Sequence, residues 1–170
     1  TSPGGNPRTK LPFPNNGIGK IWHCPAAKAA SGDAFVNNGA YGFFSYVMNI
    51  DLKATAPVGS SISRLPYPSM PKLSRAPNPS GTVLLTESMF SPSMETELGT
   101  PSDSARNGIF PAARSYRFAK RHNNAGGNIV FIDGHSSYFK RSYITNGAPN
   151  DSGANRAEKN NPDVIWNIYR

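Results

Sequence analysis

One stretch near the C-terminal end, residues 121–143, most constrains the fold that this chain can adopt. It contains an apolar run at 129–132, the pair Asp133-Gly134, and a second run at 135–140 that carries two aromatic residues. An Asp-Gly pair between two such runs is a strong short-range signal for a β-hairpin. A two-residue type I′ turn needs positive φ at both central residues, which glycine reaches freely and aspartate tolerates. The sequence therefore predicts a hairpin with Asp133 and Gly134 as its structural turn.

That turn also predicts the register of the hairpin. The facing pairs are expected to be Ile132 with His135, Val130 with Ser137, and Ile129 with Tyr138. Two of the three histidines, His122 and His135, then flank the first strand.

Composition indicates a loop-rich domain with short strands. Glycine and proline number 16 each, and hydrophobic residues make up 37% of the 170 residues. A chain of this length is expected to form one globular domain, residues 1–170. The predicted fold class is α+β, mostly β: a loop-rich antiparallel sheet with low helix content. The predicted strands lie near 43–48, 82–86, 128–132, 135–140 and 163–168.

Proline-rich and polar segments separate these strands. Residues 1–20 are predicted to be an extended lead, and residues 54–71 and 90–112 to be surface loop excursions. The run Val83–Leu85 predicts a strand buried on both faces. Leu84, Ile129 and Phe131 are expected to be buried.

The single cysteine, Cys24, excludes an internal disulfide and a multi-cysteine zinc site. Its neighbour His23 offers a metal pair, but a buried thiol beside a hydrogen-bonded histidine explains the same residues more simply.

Only one group of residues in the sequence has the chemistry of a metal site. His122, Asp133 and His135, with Asn123 or Asn128 as further candidates, offer imidazole and carboxylate ligands of the kind that zinc uses. The structural alternative is that Asp133 accepts backbone N–H groups in its own turn, while the histidines form hydrogen bonds near the hairpin ends. Apart from such a metal ion, no cofactor is expected. Recognised nucleophile and phosphate-binding motifs are absent, so no catalytic residue and no enzyme activity is predicted.

Basic residues crowd the same region, and the chain carries a net charge of +8. They form either a patch for polyanions or for another subunit, or a solvated face. The residues concerned are Arg114, Arg117, Lys120, Arg121, Lys140 and Arg141.

The order of a basic residue, His122, a Gly/Asn turn, an apolar strand and Asp133-Gly134 resembles a known signature. It is similar to the C-terminal His, nine residues, Asp-Gly pattern of bacterial pseudopilin-like, prepilin-type proteins. Here ten residues separate His122 from Asp133. Four further pieces resemble the same family in the same order: Ile21–Pro25 with its Cys-Pro, Ser45–Asn49, the stretch from Lys72 through Pro79–Ser88, and the Trp166-Asn167 segment.

The resemblance implies a structural or assembly protein, the soluble head of a pseudopilin-like subunit of an extracellular filament or type II secretion pseudopilus. It implies bacterial secretion or a cell-envelope location, and partners that are copies of the chain or other pseudopilin-like subunits. The hydrophobic N-terminal helix of that family, its only route to the membrane, is not within these 170 residues. We expect it to lie upstream or to be replaced by another mode of assembly.

Two other functions fit the residues. One is an extracellular binding module that uses the basic residues to hold acidic polysaccharide or DNA. The other is a metal-dependent hydrolase built on His122, Asp133 and His135, which has the least support.

Overall fold

The computed structural model describes residues 20–28, 30, 44–53, 74, 76–91, 94–95, 112–113, 115–145 and 161–168. These residues form a five-stranded mixed sheet with little helix, so the predicted mostly-β character is confirmed. The strands are β1 (Tyr46–Asn49), β2 (Val83–Glu87), β3 (Ala112–Ala113), β4 (Gly126–Phe131) and β5 (Ser136–Lys140). They lie in the order β3-β1-β2-β4-β5.

Helix is limited to short pieces within the described part of the chain. The α-helix α1 spans Arg141–Ile144, and 3₁₀ turns span Lys20–Trp22, Ile50–Lys53 and Ser115–Arg117. No helix among the described residues is long and apolar enough to cross a membrane.

The sheet departs from the antiparallel prediction at one edge. β2 pairs antiparallel with both β1 and β4, and β4 pairs antiparallel with β5. β3, however, runs parallel to β1, with Met48 opposite Ala112. A parallel pair needs a long connection, and the long segment between Asn49 and Ala112 provides it.

The β4–β5 hairpin forms as predicted, but its register is shifted by one residue. Phe131 lies opposite His135, since its N–H donates to the His135 carbonyl at 2.9 Å, and Ile129 lies opposite Ser137. The loop therefore has three residues and not two. Gly134 has φ +94° and its N–H donates to the Phe131 carbonyl at 3.0 Å, whereas Asp133 has no positive φ.

The predicted type I′ turn at Asp133 and Gly134 is therefore wrong. A three-residue hairpin loop needs only one residue in the left-handed conformation, which here is Gly134. Asp133 therefore avoids the strain of a positive φ. Asp133 instead accepts the His135 N–H at 3.1 Å.

The main hydrophobic core lies around the middle of the sheet. Ile129 and Phe131 are buried as predicted, while Leu84 is only half-buried. The pairing of β2 with β4 shifts by one residue between Val83 and Leu85, and this irregularity turns Leu84 away from the centre. The core consists of Val83, Phe118, Ile129, Phe131, Ile144, Val164 and Trp166.

The predicted strand at 163–168 is not a strand. Ile165 makes one parallel bridge to Thr82, in which the Ile165 N–H donates to the Gly81 carbonyl at 2.7 Å. The next residue, Trp166, is fully buried. The Asn49 amide then donates to the Trp166 carbonyl at 2.9 Å and to the Val83 carbonyl at 3.0 Å. Side-chain packing and this amide, more than strand pairing, dock the segment.

The predicted lead and loops fall almost wholly outside the described residues. Of 1–20 only Lys20 is described, and of 54–71 none is. Within 90–112, Phe90, Ser91, residues 94–95 and Ala112 are described, and Ala112 belongs to β3.

Candidate functional site

Glu87, at the end of β2, is the centre of a buried polar cluster. Its side chain is 1% exposed. Asn128, on the neighbouring strand β4, donates its backbone N–H to one carboxylate oxygen at 3.2 Å and its amide to the other at 3.3 Å. Gly127 makes room for this carboxylate, because a Cβ there would lie 2.9 Å from Glu87 Oε2.

His122 reaches Glu87 from the turn that precedes β4. Asn123 and Asn124 both have φ 52°, and the Ala125 N–H donates to the His122 carbonyl at 3.0 Å. Positive φ at two central residues is the requirement of a type I′ turn, and asparagine tolerates it better than most residues. This turn places His122 Nε2 at 2.9 Å from Glu87 Oε2 and 3.0 Å from Oε1.

Cys24 completes the cluster from a distant part of the chain. Its Sγ lies 3.3 Å from His122 Nε2, and the residue is 2% exposed. The Cys24 N–H donates to Ser45 Oγ, which fixes the backbone of this segment next to β1. Partial burial, together with the adjacent Cys24 thiol, raises the pKa of Tyr46 to about 12, so its hydroxyl stays neutral.

Arg121 borders the cluster without belonging to its centre. Its guanidinium donates to the two oxygens of Glu95 at 2.9 and 3.0 Å, and also to the Ser88 carbonyl. Its distance to the Glu87 carboxylate is longer, 3.8 Å. Glu95 therefore neutralises most of the charge that Arg121 brings to this part of the molecule.

We call Cys24, Glu87 and His122 the Glu87 cluster. Their sulfur, oxygen and nitrogen ligand atoms all lie within 4.8 Å of one another. A thiol beside an imidazole also occurs in cysteine nucleophiles, where a third group orients the base through its other nitrogen. Here the thiol and the carboxylate both contact Nε2. The three ligand atoms therefore face one another, as ligands around a cation do, and they do not form a relay.

The structure does not bring the predicted metal ligands together. Asp133 and His135 contact each other at 2.6 Å at the turn end of β4, whereas His122 precedes the opposite end of that strand. The His135 ring also stacks on Phe131 at 4.4 Å between centroids. The hydrogen bond from His135 holds the pKa of the Asp133 carboxyl below its ordinary value. We call Asp133 and His135 the turn pair.

The basic residues do not form one solvent-facing patch among the described residues. Arg117 and Arg141 are buried, and Arg141 donates to the Phe118 carbonyl. The Arg121 side chain is 5% exposed. Lys120 is half-buried and Lys140 is exposed. Arg114 lies outside the described residues.

Sequence reasoning missed Glu87 and Cys24 as partners of His122. The signal was present in the Cys-Pro of Ile21–Pro25 and in the Glu-Ser that ends Pro79–Ser88. Nothing in the spacing shows that two such distant pieces meet. Comparison of the chain with protein-family models, curated proteins and solved structures gave no match.

Proposed function

We propose that this chain is the globular head of a pseudopilin-like structural subunit. It is exported to the bacterial cell envelope or surface, where it assembles with copies of itself or with similar subunits into a filament or pseudopilus. One observation carries the proposal: the separate pieces of sequence that resemble the pseudopilin-like proteins meet one another in space.

The first meeting point is the Glu87 cluster. Cys24 comes from the Cys-Pro piece, Glu87 from the end of the β2 piece, and His122 from the His-to-Asp-Gly piece. Tyr46, from the Ser45–Asn49 piece, lies next to Cys24. The matched pieces thus come together around one polar cluster, and this convergence supports reading them as parts of a shared fold.

The second meeting point is the edge of the hydrophobic core. Asn49, the last residue of the Ser45–Asn49 piece, links Val83 of β2 to Trp166 of the C-terminal piece through its side-chain amide. All three residues are buried. The motif residues at both meeting points are thus engaged in intramolecular contacts, which suits a protein whose task is to hold a shape.

The surface offers features suited to assembly. Ile21 is 82% exposed and Trp22 is 39% exposed, and they are adjacent in a 3₁₀ turn. β5 forms an edge of the described sheet, with Tyr138 39% exposed on it. Sheet edges and exposed apolar side chains are the surfaces on which other chains dock.

The polyanion-binding alternative has less support. Only Lys120 and Lys140 of the six basic residues have side chains described as accessible, and phosphate contacts need clustered, solvent-facing cations. Arg121, one of the residues of the expected patch, is held by Glu95.

Cross-linking in the producing cell tests the proposal. A Tyr138→Cys variant presents one accessible thiol on β5, while Cys24 is buried and serves as the unreactive background. A short bifunctional thiol reagent is expected to convert this variant into covalent dimers, because each subunit presents one reactive thiol and the reagent joins two thiols. Met94→Cys, at a residue that is 57% exposed outside the sheet, is the matched control for random collision.

Covalent dimers from Tyr138→Cys well above those from Met94→Cys support assembly through the β5 edge. A single monomer band for both variants, combined with salt-sensitive heparin binding by the unmodified chain, would instead favour the binding module.

A further inference from the structure

We propose that the Glu87 cluster is a zinc site, with Cys24 Sγ, one Glu87 carboxylate oxygen and His122 Nε2 as its three protein ligands. This inference is independent of assembly into a filament. It shares only His122 with the metal site expected from the sequence, which combined His122 with the turn pair.

The distances between the ligand atoms fit a tetrahedral zinc ion. Zinc bonds of about 2.3 Å to sulfur and about 2.0–2.2 Å to nitrogen and oxygen place neighbouring ligand atoms roughly 3.4–3.6 Å apart. In the structure, Sγ lies 3.3 Å from Nε2, and Nε2 lies 2.9 Å from the nearer carboxylate oxygen. Both distances are within about 0.5 Å of the tetrahedral values, and the third pair, Sγ and the carboxylate oxygen, lies within 4.8 Å.

The three ligands also define which metal fits. A thiolate together with an imidazole selects zinc or a similar thiophilic ion, because magnesium and calcium prefer oxygen ligands alone. Structural and catalytic zinc sites use these same three ligand types. Cysteine is the ligand that distinguishes the Glu87 cluster from the turn pair.

A metal ion also resolves a hydrogen-bonding conflict. His122 Nε2 faces Sγ and both carboxylate oxygens, yet one ring nitrogen carries at most one proton. The Cys24 and Glu87 side chains are both almost fully buried, and a bound zinc ion would compensate the charges of a thiolate and a carboxylate held there. Arg121 gives little help, because it is 3.8 Å from Glu87 and directly bonded to Glu95.

The surrounding groups orient the proposed ligands. Asn128 holds the Glu87 carboxylate with two donors, and Ser45 holds the backbone of Cys24. Tyr46 lies next to Cys24. Outer hydrogen bonds of this kind position metal ligands in known sites. The His122 side chain is 30% exposed, which leaves a route for the ion and for a water molecule as fourth ligand.

The test is metal binding by the whole chain after treatment with a chelator. One equivalent of zinc is expected to bind in competition with a chromophoric chelator. Cobalt(II) is expected to give a thiolate-to-metal charge-transfer band, which reports the sulfur ligand directly. Cys24→Ser should abolish the band and weaken zinc binding by about 100-fold or more, since even loss of an outer partner costs 10–100-fold.

His135→Ala is the matched control, because it removes the turn-pair histidine and leaves Cys24, Glu87 and His122 in place. It is expected to keep both the band and the zinc affinity. Glu87→Gln is a second ligand variant that preserves the side-chain shape, and circular dichroism confirms folding for every variant. No stoichiometric zinc binding by the unmodified chain, or binding that survives Cys24→Ser and is lost in His135→Ala, would overturn the proposal.

Discussion

The two ends of β4 carry similar pairs of side chains in opposite environments. Before its start, His122 contacts Glu87 at 2.9 Å, and after its end, His135 contacts Asp133 at 2.6 Å. The Glu87 side chain is 1% exposed, whereas that of Asp133 is 36% exposed. The shorter of the two contacts, between His135 and Asp133, is therefore the solvent-exposed one.

The difference shows that environment, and not distance, decides what such a pair contributes. Water screens the charges of an exposed pair and solvates either partner if the other is lost, so the net contribution is small. A buried carboxylate that loses its partners has no water to replace them. The Glu87 cluster should therefore be sensitive to substitution, and the turn pair should tolerate it.

The largest expected effect is at Glu87. Glu87→Ala should lower the free energy of unfolding by about 3–5 kcal/mol, because it leaves a void and strips a buried acceptor from Asn128 and His122. Chemical denaturation followed by circular dichroism measures this loss. Asp133→Ala is the counterpart at the other end, and it should lower the denaturation midpoint only slightly, because the turn pair is exposed to water. Equal losses in the free energy of unfolding for Glu87→Ala and Asp133→Ala would contradict the expected difference between the two ends of β4.

A second contrast uses the glycine at each end. A Cβ on Gly126 would overlap the Phe139 carbonyl oxygen across the hairpin, so Gly126→Ala should destabilise by about 3 kcal/mol. A Cβ on Gly134 would meet nothing within 4 Å, and only its φ of +94° resists substitution. Gly134→Ala should therefore cost about 1–2 kcal/mol.

Thermal unfolding of both glycine variants separates clash from backbone strain. Gly134→Val should cost more than Gly134→Ala, because β-branched residues avoid positive φ. Gly134→Asn should recover part of the loss, since asparagine tolerates this conformation. An alanine at Gly126 that left stability unchanged would show that β4 and β5 are further apart than described.

The smallest effect concerns the titration of the turn pair. The hydrogen bond from His135 lowers the pKa of Asp133, so the folded state holds this proton less tightly than the unfolded state does. The stabilisation is therefore present above the unfolded pKa of about 3.9 and disappears as the pH falls through the lower folded value. Carboxyl NMR should show Asp133 titrating below about 3.9, and His135→Ala should raise its pKa. An Asp133 pKa unchanged by that substitution would rule out the hydrogen bond.

The local pattern of the chain was sufficient to predict the hairpin and the β character of the described sheet. It failed on the turn type because Asp133-Gly134 fits both a two-residue loop and a three-residue loop with glycine at the left-handed position. Packing of Phe139, and not Tyr138, against the core that holds Ile129 and Phe131 selects the observed register, and that information is tertiary. The left-handed pair lies instead at Asn123 and Asn124.

Only part of the candidate site could be predicted from the sequence, for a related reason. His122 was identified from the sequence, but its partner Cys24 is 98 positions away. Likewise, a basic side chain such as Arg141 looks solvent-facing in sequence, although in the fold it is buried and donates to a backbone carbonyl. Contacts between segments far apart in the chain produce no periodicity in the sequence, so a local pattern cannot predict them.

The position of Trp166 has a consequence for the order of events during folding. Trp166 is fully buried in the main core, and its carbonyl accepts from Asn49, 117 residues earlier. Closing so long a loop is entropically unfavourable until the contacts that it brings together can form. The hairpin can form early, since its strands are adjacent, but the core stays incomplete until residues 161–168 arrive. During synthesis the chain should therefore remain accessible to chaperones and proteases until that segment has emerged.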